Sequence, residues 1–341
     1  MIATKNKQWI LKSRPVGAIQ DTDFAFGDAP VPEVEDGQIL CRNLYLSLDP
    51  AMRGWVSDAE SYSEPVPLDG VMRGIGIAEV VTSKHDEFAE GEVVMGMTGW
   101  QEYALLDKND LPNKVPPIPG IPVTNFLSVC GITGLTAYFG LNDIGQPQEG
   151  DTVLVSTAGG AVGSVVGQLA KLKGCRVVGI AGSDEKCQWI TDDLGFDAAI
   201  NYKTENLGEA IRTACPDRID VYFDNVGGDQ LNSALSWLNI GARVVICGAI
   251  TRFNQKGKLP GPSNYMNLLT RRARMEGFVL LDYRERFPEA LATLVPLVMS
   301  GDLKHREQVV DGLENALSTL RTLYDGTNTG KLIIKVAEPS A

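Results

Sequence analysis

The chain has 341 residues, with 31 lysines and arginines against 43 aspartates and glutamates, for a net charge of −12 at pH 7. That sign repels phosphate backbones and anionic lipid, which argues against nucleic-acid or membrane-surface binding as the main role. With 44% apolar and 22% charged residues the composition is globular, and the length suits two domains of roughly 100–200 residues.

Taken in chain order, short β-like runs come first: Ile39–Leu44, Gly76–Thr82, Glu92–Met95 and Tyr103–Leu106. Turn signals separate them, and the texture predicts a small, partly closed β domain. Leu111–Pro122 then places five prolines in twelve residues, a stretch expected to run extended between packed units. After it, strands alternate with helices. Strands are expected at Thr152–Ser156, Arg176–Ala181, Ala198–Asn201, Asp220–Asp224 and Ala242–Cys247, and helices at Ala161–Lys173, Asp184–Leu194 and Asp229–Leu238. That alternation predicts an α/β fold, a doubly wound parallel sheet with helices on both faces. From about His305 the pattern returns to strand, helix (Leu313–Tyr324) and strand (Lys331–Val336), a tail expected to fold back onto the first domain.

No stretch reaches about 18 apolar residues, and the polar start carries no signal-peptide pattern. The six cysteines, 41, 130, 175, 187, 215 and 247, form no Cys-x-x-Cys pair. Reduced thiols in a cytoplasmic protein are the expectation.

Ser156-Thr-Ala-Gly-Gly-Ala-Val-Gly163 lies between the first predicted strand of the alternating region and its helix. Glycines there let a pyrophosphate approach backbone amides at a positive helix end. Gly160 is expected to make the close approach and Gly163 to allow tight helix–sheet packing. An NAD site places Asp or Glu at the end of the next strand; this chain has Ala181-Gly182-Ser183, with Lys186 one turn on. A hydroxyl and a cation suit the 2′-phosphate of NADP(H), each charge-assisted bond contributing about 1.5–3 kcal/mol. The competing reading is a solvated Lys186 whose field Asp184 and Glu185 dilute.

Carbonyl reduction lacks its usual equipment. The two histidines, His85 and His305, are not at ligand-like spacing from Cys or Glu, so no zinc or other metal site is expected. No tyrosine has a lysine four residues after it. What remains is hydride addition to an activated C=C bond, where the protein need only stabilise charge on the carbonyl oxygen and protonate the α-carbon.

Several motifs together resemble the zinc-independent medium-chain dehydrogenase/reductases. They are Tyr45-Leu-Ser-Leu-Asp-Pro50 with Met52-Arg-Gly54, Gly134–Gly140, Gly160–Gly163, Gly182–Lys186, Asn201-Tyr-Lys203, Tyr222–Gly228 and Cys247–Ile250. Within that family they are similar to the leukotriene hydroxydehydrogenase, prostaglandin reductase and plant double-bond reductase group. Ser57–Ser63 and Asp143–Pro147 resemble the bacterial NADPH-dependent curcumin reductases of that group. The resemblance implies a GroES-like β-barrel domain from residues 1–125 and 305–341, a Rossmann NADP-binding domain from 126–304, and a homodimer. It also implies NADPH-dependent reduction of α,β-unsaturated ketones and aldehydes in a cleft between the domains.

Carried over by motif, Gly160, Ala161, Val162 and Gly163 hold the pyrophosphate. Ser183, Lys186 and Tyr202 take the adenosine 2′-phosphate side. Asn225 and the segment Cys247, Gly248, Ala249, Ile250 to Phe253 line the cofactor; Phe278, Val279 and Leu280 flank the nicotinamide, and Asn328 closes over it. Relatives often carry tyrosine where this chain has Ala51, Phe253 and Thr270, so the proton donor is open. Tyr62, in a polar loop of the β domain, and Tyr265, just past a predicted lid at Gln255–Ser263, are the candidates; water and ribose hydroxyls are the alternative. Thr157 stands where relatives usually have alanine, a change expected to matter little. Quinone reduction, enoyl-thioester reduction and a nucleotide-binding scaffold with little turnover stay open as other readings.

Overall fold

The computed structural model describes residues 4–110, 112–255 and 261–340. The chain divides into two compact units, 1–127 with 307–341 and 128–306.

In the first unit a mixed sheet is centred on Ile39–Leu48. Lys331–Lys335 pairs antiparallel with it on one side, carrying Glu307–Asp311 beyond; Gly76–Ser83, Val93–Gly96 and Asn113–Lys114 follow on the other. Tyr103–Leu106 also pairs with the central strand, and a separate hairpin joins Lys5–Leu11 to Phe24–Pro30. Alternation along Ile39–Leu48 sends Leu46 and Leu48 into a core with Met52, Trp100, Leu317, Leu320 and Ile334. The helix that completes it runs Ala316–Asp325, preceded by a tight turn at Leu313–Asn315.

The second unit holds six parallel strands. Their spatial order is Ala198–Asn201, Arg176–Ala181, Thr152–Val155, Ile219–Asp224, Leu238–Ile246, Arg274–Gly277. In order of appearance that is 3-2-1-4-5-6, the dinucleotide-binding arrangement, whose ligand crevice opens where the order reverses, beyond the strands' carboxyl ends. Thr152–Val155 is buried at every position, as a central strand covered on both faces must be.

Boundaries moved where tertiary contacts outweighed local pattern. The first helix of the sheet region starts at Gly163 rather than Ala161, because residues 161 and 162 form the turn. Leu238 belongs to a strand rather than to the preceding helix, which stops at Leu235. The sixth strand, Arg274–Gly277, was not anticipated: all four residues are exposed, so no apolar run announces it.

Candidate functional site

The turn after Thr152–Val155 is closed by its own backbone. Ala158 N–H donates to Ile180 O at 2.9 Å, and Gly160 N–H donates to Thr157 O at 2.8 Å. A Cβ on Gly160 would sit 2.8 Å from the Thr157 methyl, and one on Gly163 would collide with the Thr157 carbonyl and lie 3.0 Å from Ala158 Cα. Both glycines therefore make room first for the Thr157 peptide. Thr157 itself has φ 51°, a left-handed conformation costly for a β-branched residue. Among the described residues, the N–H groups of Ala161 and Val162 find no backbone acceptor, as expected just before a first helical turn. These amides, next to the N-terminus of helix Gly163–Leu172, suit a diphosphate.

At the end of the neighbouring strand, Ser183 Oγ accepts from Lys186 N–H at 3.3 Å and caps helix Asp184–Asp192. The Lys186 stem lies across the glycine turn, its Cβ, Cγ and Cδ 3.3 to 3.5 Å from where a Gly159 Cβ would stand. Tyr202 Oη and Lys203 Cε approach a Cβ position on Gly182 at 3.3 and 3.4 Å. Burial lowers the Lys186 pKa, the positive charge of Lys203 lowers it further, and Glu185 opposes both. Asp184, the other suspected diluting charge, accepts instead from Asn201 Nδ2 at 2.7 Å. Lys186 and Lys203 thus bring two positive charges to the end of this strand. Lys203 follows Tyr202 in sequence, but only the fold shows that both face Gly182.

Next along the sheet, Asn225 is locked to the first strand's end. Its N–H donates to Ser156 Oγ at 2.7 Å and its Nδ2 to Ser156 O at 2.8 Å. Asp224, 1% exposed, accepts at Oδ1 from Tyr222 Oη (2.9 Å), Val226 N–H (3.0 Å) and Gly227 N–H (2.9 Å). Burial raises its carboxyl pKa against those bonds. Its carbonyl accepts from Cys247 N–H at 2.9 Å and Gly248 N–H at 3.1 Å. Thr251 Oγ1 donates to Val226 O at 2.6 Å, so the segment through Ala249, Ile250 and Phe253 is fastened to the Asn225 turn. Asp224 and Ser156 are positioning groups that sequence reasoning missed; a carboxylate closing a buried strand was the available signal.

Phe278, Val279 and Leu280 follow the edge strand. Gly140 is glycine because its Cβ would lie 2.7 Å from the Phe278 ring and 2.8 Å from that of Phe223. Leu280 packs near Leu135 and Phe139. Parallel register, with Val155 opposite Phe223, Asp224 opposite Ile246 and Ile246 opposite Gly277, brings all these segments to one end of the sheet.

The remaining residues fall elsewhere. In the first unit, Tyr62 is 60% exposed, and Asn328 donates from Nδ2 to Gly330 O at 2.9 Å. Ala51 precedes the short helix Met52–Trp55. There Arg53, 7% exposed, donates to Pro15 O and Gly17 O at 2.9 Å. Lys331 is buried against Leu48 O at 3.0 Å and the Asp49 carboxylate. Tyr324 Oη donates to Pro50 O at 3.1 Å, and burial pushes its phenol pKa upward. In the second unit, Tyr265 is 59% exposed ahead of helix Met266–Arg271, and Thr270 Oγ1 donates to Asn267 O at 3.3 Å. Residues 256–260 of the predicted lid lie outside the described residues. Among the described residues no group of three or more His, Cys, Asp or Glu is arranged to hold a metal ion, and no helix is long and apolar enough to cross a membrane.

Comparison with known proteins gives matching family models over both units. Residues 7–113 match an N-terminal domain of oxidoreductases, and residues 161–295 match a family described as zinc-binding dehydrogenase. The zinc of that description has no donor set among the described residues. The chain is 42% identical to an NADPH-dependent curcumin reductase of Escherichia coli, over 98% of this chain and 97% of that one. It is 38% identical to an NADP-dependent 2-alkenal reductase of Nicotiana tabacum, over 97% and 98%. A crystal structure of CurA from Vibrio vulnificus in complex with NADPH superposes with a TM-score of 0.93 at 44% identity, covering 98% of this chain and all of that one.

Proposed function

Because the chain belongs to the zinc-independent medium-chain dehydrogenase/reductases, we propose that it reduces the C=C bond of α,β-unsaturated ketones and aldehydes with NADPH. The observation that carries the cofactor reading is the Lys186–Lys203 pair beside Tyr202, at the strand end where an NAD site would place a carboxylate. The substrate class rests on the relatives named for curcumin and alkenals. Bound NADPH would supply hydride to the β-carbon.

In this reading the residues of the chain divide the remaining work. Ala161 and Val162 amides, with Gly160 and Gly163 leaving room, hold the diphosphate. Ser183, Lys186, Tyr202 and Lys203 hold the 2′-phosphate. Asn225 and Cys247–Phe253 support the nicotinamide half, together with Phe278, Val279, Leu280 and Asn328. Charge that builds on the carbonyl oxygen needs a hydrogen-bond donor, and the α-carbon needs a proton. The exposed phenols Tyr62 and Tyr265 are the candidate donors, with water as the alternative. The second unit is thus the nucleotide domain and the first the substrate domain. The absence of a disulfide among the described cysteines fits a reducing cytoplasm.

The test is NADPH oxidation at 340 nm with 1-octen-3-one, trans-2-nonenal, curcumin, menadione and crotonyl-CoA, each repeated with NADH. Enone-dependent loss of NADPH with a saturated ketone as product is expected. Turnover of menadione alone would replace the reading with quinone reduction, and tight NADPH binding without any turnover would leave a scaffold.

The homodimer belongs to the same proposal. Strand Arg274–Gly277 is the sheet's exposed edge, with Arg274 and Glu276 3.5 Å apart and Met275 38% exposed between them. Antiparallel pairing about Met275 would set each Arg274 against a second copy's Glu276, a self-complementary edge. Proline at 275 removes a ladder donor, so Met275→Pro should run as a monomer in light scattering. A variant that stays dimeric would move the interface elsewhere.

A further inference from the structure

The loop that carries Tyr62 leaves helix Met52–Trp55 and returns where Val66 N–H donates to Trp55 O at 2.7 Å. Three arginines belong to this region, and two are spent on structure. Arg14 pairs with Asp58 at 2.7 Å and donates to Val66 O at 2.5 Å. Arg53 donates to the carbonyls of Pro15 and Gly17. Arg73 donates one bond, from Nη1 to Glu64 O at 2.8 Å, and among the described residues its other N–H groups have no protein partner. Its backbone is held on both sides. Met72 N–H donates to Trp9 O and Met72 O accepts from Trp100 N–H, both at 2.8 Å, and Gly74 O accepts from Gly99 N–H at 2.9 Å. Met72 and Gly74 are buried, so alternation sends the partly buried Arg73 to the other face. There its Cζ lies 5.8 Å from the centroid of the Trp55 ring.

Two more polar groups of this region are unmatched. Trp55 Nε1 and Ser63 Oγ are buried with no hydrogen-bond partner among the described residues. Ser63 adjoins Glu64, whose carbonyl Arg73 holds. A buried donor without an acceptor is costly and calls for an explanation. Guanidinium and indole N–H groups only donate, and a serine hydroxyl is free to do so. Together they suit an oxygen acceptor brought by a ligand. We propose that Arg73, with Trp55 Nε1 and Ser63 Oγ, receives the carbonyl oxygen of the unsaturated substrate and stabilises the negative charge that builds on it. This role rests on the enone reading, with the first unit as the substrate domain, and names the oxygen's partner within it.

When hydride adds to the β-carbon, the C=C pair becomes a bond to the carbonyl carbon and the C=O pair moves onto oxygen. Protonation of the α-carbon then returns that pair and restores the carbonyl. Arg73 stays charged throughout, so it holds the oxygen without supplying the proton, which is left to Tyr62, Tyr265 or water. Burial lowers the Arg73 pKa while the Glu64 charge opposes that shift. A cation partly stripped of water acts more strongly on a nearby oxyanion than one in bulk solvent. A neutral carbonyl also suits the surroundings better than a substrate carboxylate does. Glu60 and Glu64 lie in the same loop and repel a standing negative charge.

The experiment measures NADPH-dependent reduction of 1-octen-3-one by the full-length protein and by Arg73→Gln, Arg73→Lys and Trp55→Phe, with a urea midpoint for each. Arg73→Gln keeps a donor but not the charge, so kcat should fall on the order of a hundredfold with the NADPH Kd unchanged. Arg73→Lys should recover part of that loss. Trp55→Phe keeps a ring but removes the N–H, and should lose severalfold. A second readout needs no turnover. Bound 4-nitrophenol, whose phenolate is yellow, should titrate about one unit below its value in water on the wild type, and close to that value on Arg73→Gln. Unchanged kcat in Arg73→Gln, or a loss confined to KM, would overturn the proposal, as would an unshifted phenol on the wild type. A lowered urea midpoint in Arg73→Gln, with full kcat in Trp55→Phe and the same phenol shift in both arginine proteins, would reduce Arg73 to a strut for the loop. A wild type that shifts the phenol but reduces no enone would sink the enone reading and leave the oxygen site standing, so the two failures are distinguishable.

Discussion

The two units use polar residues in opposite ways. In the second, Lys186, Tyr202, Lys203 and Asn225 gather beyond the carboxyl ends of parallel strands. In the first, the residues of the Tyr45–Pro50 and Met52–Gly54 motifs turn inward: Arg53 holds the carbonyls of Pro15 and Gly17, and Lys331 holds Asp49 and Leu48 O. Motifs of equal prominence in the sequence are thus placed differently, one at the proposed ligand site and the other fixing a turn. Substitutions should separate them, with stability lost in the first unit and cofactor affinity in the second.

The largest effect is expected at Lys331, 3% exposed at its side chain against an Asp49 that is 15% exposed. Removing one partner of a buried pair strands the other charge and costs about 3–5 kcal/mol. Lys331→Met should lower the urea midpoint sharply while NADPH affinity, measured on the folded fraction, holds. Loss of affinity with stability intact would erase the contrast between the units.

Affinity should move at the second unit's lysines. Lys186→Ala and Lys203→Ala should each weaken NADPH binding by roughly ten- to hundredfold, with NADH nearly unchanged, by fluorescence titration. Equal losses for both nucleotides would take the 2′-phosphate away from this pair. Because the Lys203 charge lowers the Lys186 pKa, Lys203→Ala should let that pKa rise toward its ordinary value. The double variant should therefore lose less than the sum of the single losses.

The contrast also explains what was legible beforehand. The parallel sheet and its glycine turn could be read because buried strands are apolar runs and the turn sits where a strand becomes a helix. The edge strand Arg274–Gly277 could not, since exposure at every position leaves no periodicity to detect. Lys186 was found from its place one turn past a strand; Lys203 required the fold, because only the neighbouring strand brings it to Gly182. The inward roles of Arg53 and Lys331 depend on partners 36 and 282 residues away, and local sequence carries no trace of such pairings. The same holds for Asp224, whose hydrogen bonds fasten three strand ends together.

The smallest effect, and the finest probe of the comparison, lies at Thr157. Its φ of 51° is strain held at the proposed ligand turn rather than in the first unit's core. Left-handed backbone costs a β-branched residue on the order of 1–2 kcal/mol. Glycine relieves that but gives back about 0.5–1 kcal/mol through the entropy of the unfolded chain. Thr157→Gly should therefore stabilise the protein by about 0.5–1 kcal/mol, seen as a higher urea midpoint at unchanged slope. The freed turn would no longer be pre-set for a diphosphate, so NADPH and NADH should both bind a few-fold more weakly and in equal ratio, unlike the lysine variants. A lower midpoint would mean that Thr157 is supported by contacts stronger than its strain, and the turn would then belong with the self-anchoring motifs of the first unit.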